Sequence, residues 1–299
     1  METKKLKVVL CWHMHQPHYR DGLDGVYRLP WVYLHAIKDY ADMVWHLEKC
    51  PKAKVVVNFA PVLLEQLDDY AAQMRSWLKD ATAMQDPLLN LLAGQTAIPK
   101  DVIGREKVMS VCLRAHAPTM IDVLPDFRAL IDLANYNPEQ VGGNEQLAYF
   151  NEQYFTDLLV WYHLAWMGES LRESDSRLER LLAQQGGFSI EDQRTLIEVM
   201  ADALESIIPR YRALMESGQI EISMTPYGHP IVPLLIDFAS MRDALPDAPT
   251  PIYERYPDGY ERSKWHMEHG FKVYQQHFGS KPKGIWLSEG AISSAAVGL

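Results

Sequence analysis

The sequence predicts an α/β protein in which parallel strands alternate with helices and a long, mostly helical insertion separates the second strand from the third. Three observations point there. Short β-branched runs each empty into a polar loop, amphipathic helical patterns lie between them, and the stretch from about 62 to 217 is helical in periodicity almost throughout.

Lys7 to Trp12 is an apolar run that reads as a buried first strand, followed by the turn-rich loop His13 to Gly25. Leu34, Ile37, Ala41, Val44 and Leu47 recur at three- and four-residue spacing, the stripe of an amphipathic helix. That helix should stop at Cys50-Pro51, because proline has no N–H to extend the ladder. Lys54 to Phe59 is the second strand, closed by Ala60-Pro61. Strand, helix, strand in this order implies parallel pairing through a right-handed crossover.

Pro61 to Gly218 breaks that rhythm, with loop signals at Asn135-Tyr136-Asn137-Pro138 and Gly142-Gly143. Ser189 and Asp192 have the spacing of a capping box and open a long helix. Leu196, Val199, Ala203, Leu204, Ile207, Tyr211 and Leu214 share its apolar face, Pro209 predicts a kink, and Gly218 ends it. Gln219 to Thr225 is the third strand, Trp265 to Phe278 a helix stopped by Gly279, and Gly284 to Leu287 the fourth strand. Four parallel strands leave an open edge, which natural domains seldom expose. With Leu299 only ten residues past Glu289, the expectation is that the chain is part of a longer domain.

A net charge of -10 argues against nucleic acid or an anionic membrane as the main partner and fits a neutral substrate. Cys11, Cys50 and Cys112 are odd in number, far apart and free of any CxxC pair, which excludes a disulfide scaffold and a thiolate zinc site. They suit a reducing compartment. The apolar run after Met1–Lys7 is too short for a signal-peptide core, and no stretch approaches the roughly 20 apolar residues of a membrane span. The expected location is the cytoplasm.

Three constellations carry chemistry. His13-Met14-His15-Gln16-Pro17 directly follows the first strand, where ligands gather in parallel α/β folds. If strand geometry persists, His13 and His15 share one side. Both could then hydrogen-bond sugar hydroxyls or bind a metal, and HxH alone does not separate these. Gly218-Gln219-Ile220-Glu221-Ile222 leads into Thr225-Pro226-Tyr227-Gly228-His229-Pro230, which brings Tyr227 and His229 to the same rim. Glu221 inside the strand is as compatible with a structural ion pair as with chemistry. In Gly284-Ile285-Trp286-Leu287-Ser288-Glu289-Gly290, a carboxylate stands at a strand end three residues after an aromatic. Trp286 could stack on a pyranose and Glu289 could attack or stabilise an oxocarbenium-like centre.

HxHQP, GQIE with a following YxHPIxPL, and GIWxSEG, in this order, resemble conserved regions one, two and three of glycoside hydrolase family 57. The resemblance covers essentially the whole chain. It implies an incomplete seven-stranded (β/α) barrel with a helical insertion, acting on α-glucans with retention of configuration and without metal or other cofactor. Carried over by motif, Glu289 matches the nucleophile, His13, His15, Gln16, Tyr227 and His229 line the sugar site, and Trp286 matches the substrate-contacting tryptophan. Leu287 stands where a proline is frequent. Region four, which supplies an aspartate as general acid/base, has no counterpart here, for no aspartate follows Glu289. These 299 residues alone are therefore expected to bind glucan without turning it over. Two alternatives stand beside this reading: a metal-dependent hydrolase or deacetylase using the HxH pair, and a non-catalytic glucan-binding relative.

Overall fold

The computed structural model describes residues 6–253 and 255–299; the charged residues 1–5 lie outside them. The fold is α/β. Three parallel strands, β1 (Leu10–Met14), β2 (Val55–Phe59) and β3 (Ile220–Met224), form one sheet in the order β1-β2-β3. Pairing sets His13 opposite Asn58 and Asn58 opposite Ser223.

Two expected strands are corrected. The first lies further along than Lys7–Trp12, because Val8 and Val9 overhang the sheet at 72% and 74% exposure. His13 thereby belongs to β1 itself. The fourth, Gly284–Leu287, is reduced to a single parallel bridge between Met224 and Ile285. Met224 donates to the carbonyl of Gly284 at 3.3 Å and accepts from the amide of Trp286 at 2.8 Å. No further pairing follows among the described residues, and a 3₁₀ turn begins at Ser288.

Contacts divide the chain into two compact units. One comprises the residues through His18, His46–Asp68 and Ile208–Leu299, and holds the sheet. Its core is aromatic: Phe59 meets Tyr211 edge-on at 5.2 Å and Phe278 at 5.7 Å between ring centroids. Each such ring contributes about 1.5–3 kcal/mol by leaving water. The helix Gly259–Phe278 begins six residues before the expected Trp265. Its Tyr274 hydroxyl donates to the Ile222 carbonyl at 2.9 Å, tying the helix to β3. Gly279 ends it in the left-handed conformation (φ 73°), donating to the Gln275 carbonyl as a glycine cap does.

The other unit, Tyr19–Trp45 with Asp69–Ile207, is helical. The capping box is present: Ser189 N–H donates to Asp192 Oδ2 and the Asp192 N–H donates to Ser189 Oγ. The helix it opens, Ile190–Glu216, is continuous through Pro209. At the centre of this unit runs Glu152–Trp166, buried from Tyr154 onward on nearly every side, so its pattern is apolar all round rather than striped.

That helix holds a pH-sensitive element. His163 is fully buried, its Nδ1 donating to the Leu159 carbonyl at 2.7 Å and its Nε2 2.9 Å from the Tyr33 hydroxyl. Burial pulls its pKa down to about 4 from the ordinary 6.5. Below pH 6.5 the unfolded chain therefore takes up a proton that the folded chain refuses, so stability falls as the pH drops toward 4. The loss from this group should reach about 3 kcal/mol. Urea melts at pH 7 and pH 4.5 measure the dependence, and His163→Gln should reduce it by about this amount.

Candidate active site

The carboxyl end of the sheet collects the polar residues. At one level of the three strands, His13 Nδ1 lies 2.7 Å from Asn58 Oδ1, and Asn58 Nδ2 donates to Ser223 Oγ at 3.0 Å. Asn58 is completely buried and Ser223 nearly so. Because the amide oxygen accepts, His13 Nδ1 donates to Asn58, and Nε2 is the ring nitrogen not engaged by it.

His15 lies one residue beyond β1, and His229 follows β3 in a turn closed by its own N–H donating to the Pro226 carbonyl. The three imidazoles form a cluster. Ring centroids are 5.5 Å apart for His13–His15, 4.9 Å for His13–His229 and 4.1 Å for the stacked His15–His229 pair. One nitrogen from each lies within 4.8 Å of the others. Burial, followed by the neighbouring His229 and His13, brings the His15 pKa down to about 4. Burial and His13 also lower that of His229, opposed by Glu289. His15 and His229 are thus neutral at pH 7, able to hydrogen-bond hydroxyls or to offer a lone pair.

Glu289 joins this group. Its Oε1 is 3.9 Å from His229 Nδ1 while its side chain is 70% exposed. Glu289 (φ 57°) and His229 (φ 56°) both adopt the left-handed conformation, which a side chain with Cβ disfavours. Two such residues 3.9 Å apart concentrate strain of about 1–3 kcal/mol each at one place. Since Asn tolerates this conformation and Glu289 has little packing to lose, Glu289→Asn should raise stability by about 0.5–1 kcal/mol. Urea melts compare the two proteins; a loss of stability would show that the carboxylate supports the fold.

The remaining expected site residues are dispersed. Gln16 is half-buried immediately after His15. Tyr227 faces the helix Gly259–Phe278, its hydroxyl donating to Glu65 Oε2 at 2.5 Å and its ring meeting Trp265 and His269. Trp286 is half-exposed and lines a pocket of about 550 Å³ with Met267, Phe271 and Ile292, whose walls include none of the three histidines. Glu221 is exposed near the amino end of β3, opposite Val56, two residues before the Asn58–Ser223 level.

Asn58 is the residue that motif reading passed over. Its signal was present: a lone amide in Val55-Val56-Val57-Asn58-Phe59, a strand otherwise apolar, must find a buried partner. Glu65 and the group Trp265, His266 and His269 were also missed. His266 Nδ1 accepts from the Gly228 N–H at 3.2 Å and so buttresses the turn that presents His229.

The sequence model of the family described as Glycosyl hydrolase family 57 matches residues 9–298. No match arises among curated proteins. Among solved structures the chain is similar to a family 57 branching enzyme of Thermococcus kodakaraensis, with 17% identity, a TM-score of 0.40, and coverage of 94% of this chain and 32% of that one. The branching enzyme of Pyrococcus horikoshii gives 17%, 0.39, 94% and 34% on the same measures. The α-amylase AmyC of Thermotoga maritima gives 15%, 0.41, 95% and 35%. The chain thus spans about a third of the length of the solved chains it matches.

Proposed function

The chain belongs to glycosyl hydrolase family 57, and on that premise we propose that it presents the nucleophile and part of the sugar site of an α-glucan-active, configuration-retaining glycosidase or transglycosylase. The observation that carries this is Glu289, held in a left-handed turn beside the cluster of His13, His15 and His229. An exposed carboxylate next to hydrogen-bonding rings suits attack on a neutral sugar. Strain is tolerated where a side chain must be presented rather than packed.

In this reading Glu289 attacks the anomeric carbon and the leaving oxygen departs with a proton from a second carboxyl group about 5–5.5 Å away. In the family pattern that group is the region-four aspartate. The resulting glycosyl ester is then opened by water or by an acceptor sugar. The imidazoles hydrogen-bond the hydroxyls of the bound glucose unit, with His13 held through Nδ1 by Asn58. The three strands and the Met224–Ile285 bridge would be the first strands of an incomplete (β/α)₇ barrel. The three thiols fit a cytoplasmic setting. No helix among the described residues is long and apolar enough to cross a membrane. A metal-dependent hydrolase would use the same imidazoles but leaves the Glu289 turn without a task.

An activated sugar tests the assignment directly. A 5-fluoro-α-glucosyl fluoride has a leaving group that needs no proton donor, and its ester hydrolyses slowly. Mass spectrometry should find one glycosyl adduct per chain, on the peptide containing Glu289. An adduct on another carboxylate, or none at saturating reagent, refutes it.

A further inference from the structure

We propose that His13, His15 and His229 also form a binding site for one divalent transition-metal ion, Zn²⁺ foremost, which occupies the position that a sugar ring would otherwise take. The observation is geometric: three imidazoles from the ends of two strands offer one nitrogen each, all within 4.8 Å of one another. Zn–N bonds of about 2.0–2.1 Å place tetrahedral ligands about 3.4 Å apart. The present separations thus close by less than about 1.5 Å, within reach of small ring rotations.

The surroundings favour an ion over a mere stack of rings. The Asn58 amide oxygen accepts from His13 Nδ1, and Ser223 in turn holds the Asn58 amide, so the His13 ring is fixed before any ion arrives. This relay, in which a ligating ring donates its other N–H to a fixed acceptor, is the usual support of metal-bound histidine. His15 and His229 stack 24° from parallel with centroids 4.1 Å apart, and one nitrogen of each lies within 4.8 Å of the other and of one on His13. Glu289, 3.9 Å from His229 Nδ1, supplies a negative charge beside the position and an acceptor for a water bound at the open fourth place. Nitrogen donors without a thiolate select Zn²⁺, Cu²⁺ or Ni²⁺ over Mg²⁺ or Ca²⁺. Three protein ligands with an open fourth position make an exchangeable site rather than a structural one.

Binding rather than turnover is the readout, so this inference and the Glu289 assignment can fail separately. The 299-residue chain, dialysed against EDTA, is titrated calorimetrically with ZnCl₂ at pH 7.5, and CoCl₂ gives the coordination spectrum. The expected result is one ion per chain, with visible cobalt bands of a four-coordinate nitrogen site. His15→Ala and His229→Ala should each weaken binding at least 100-fold. Asn58→Ala should weaken it about 10- to 100-fold, and Glu289→Gln less than 10-fold. His116→Ala, far along the chain in the helical unit, should change nothing. If either alanine variant fails to fold by circular dichroism, His13→Gln and His15→Gln replace it. Failure of the wild-type chain to bind one ion, or affinity unchanged in the folded histidine variants, overturns the proposal.

Discussion

In the proposed reaction, Glu289→Gln is expected to reduce turnover of maltooligosaccharides at least 10⁴-fold, about 5.4 kcal/mol of transition-state stabilisation. The amide is nearly the same size, so the left-handed turn and its hydrogen bonds from Gly290 to Leu287 and Ala291 to Ser288 should persist. What disappears is the nucleophile, and with it the glycosyl ester. Substrate affinity should change little, because the three imidazoles remain, so the loss belongs in kcat rather than KM. A second readout separates a lost nucleophile from a disturbed fold. In Glu289→Ala, added azide should enter the vacated space and release β-glycosyl azide from an α-glucan, with inverted configuration. A Glu289→Gln enzyme that keeps most of its rate would remove Glu289 from the mechanism, and azide without effect would leave its role as nucleophile unsupported.

The largest expected change in stability lies in the helical unit, at Asp86. It is about 2% exposed and meets three donors: Oδ1 accepts from the N–H groups of Leu88 and Leu89, and Oδ2 from the Tyr70 hydroxyl at 2.7 Å. It caps the helix Pro87–Leu92, whose first position is a proline with no donor to satisfy. Asp86→Ala removes the cap, worth about 1 kcal/mol, and strands the hydroxyl of fully buried Tyr70 at a further 1–3 kcal/mol. Thermal or urea unfolding should show a loss of roughly 3 kcal/mol in total. Asp86→Asn keeps an oxygen for the cap and should lose less than half as much. If Asp86→Ala unfolds like wild type, the network is not what holds that corner together.

Much of the scaffold was legible because it depends on one-dimensional pattern. β2 is an apolar run broken only by Asn58, β3 alternates isoleucines with polar residues, and the capping box at Ser189 and the stop at Gly279 are local chemistry that no packing partner needs to complete. The cluster of His13, His15 and His229 with Glu289 was legible for a related reason, since strand ends of a parallel sheet converge. Side-chain direction was not. Tyr227 and His229 are two residues apart, yet Tyr227 turns to Glu65, because both lie beyond the end of β3, where strand alternation no longer applies. Trp286 was read as part of a strand, which would have aimed it at the sugar; with one bridge in place of a ladder, its ring serves another pocket. Nor does local periodicity show that Tyr19–Trp45 packs with Asp69–Ile207, because grouping of segments distant in sequence is decided by total buried area.

The Asn58 rung has a bearing on how the protein folds as well as on what it binds. In a parallel sheet a pairing slipped by one residue turns every side chain of the slipped strand to the opposite face. A slip of β2 would set Val57 or Phe59 beside His13 and bury the Asn58 amide against aliphatic groups, at a cost of about 1–3 kcal/mol for the stranded polar group. The native alignment is the one in which His13, Asn58 and Ser223 find each other. The amide therefore acts as a proofreading mark for strand alignment, and the histidine cluster can assemble only in molecules that have passed that check.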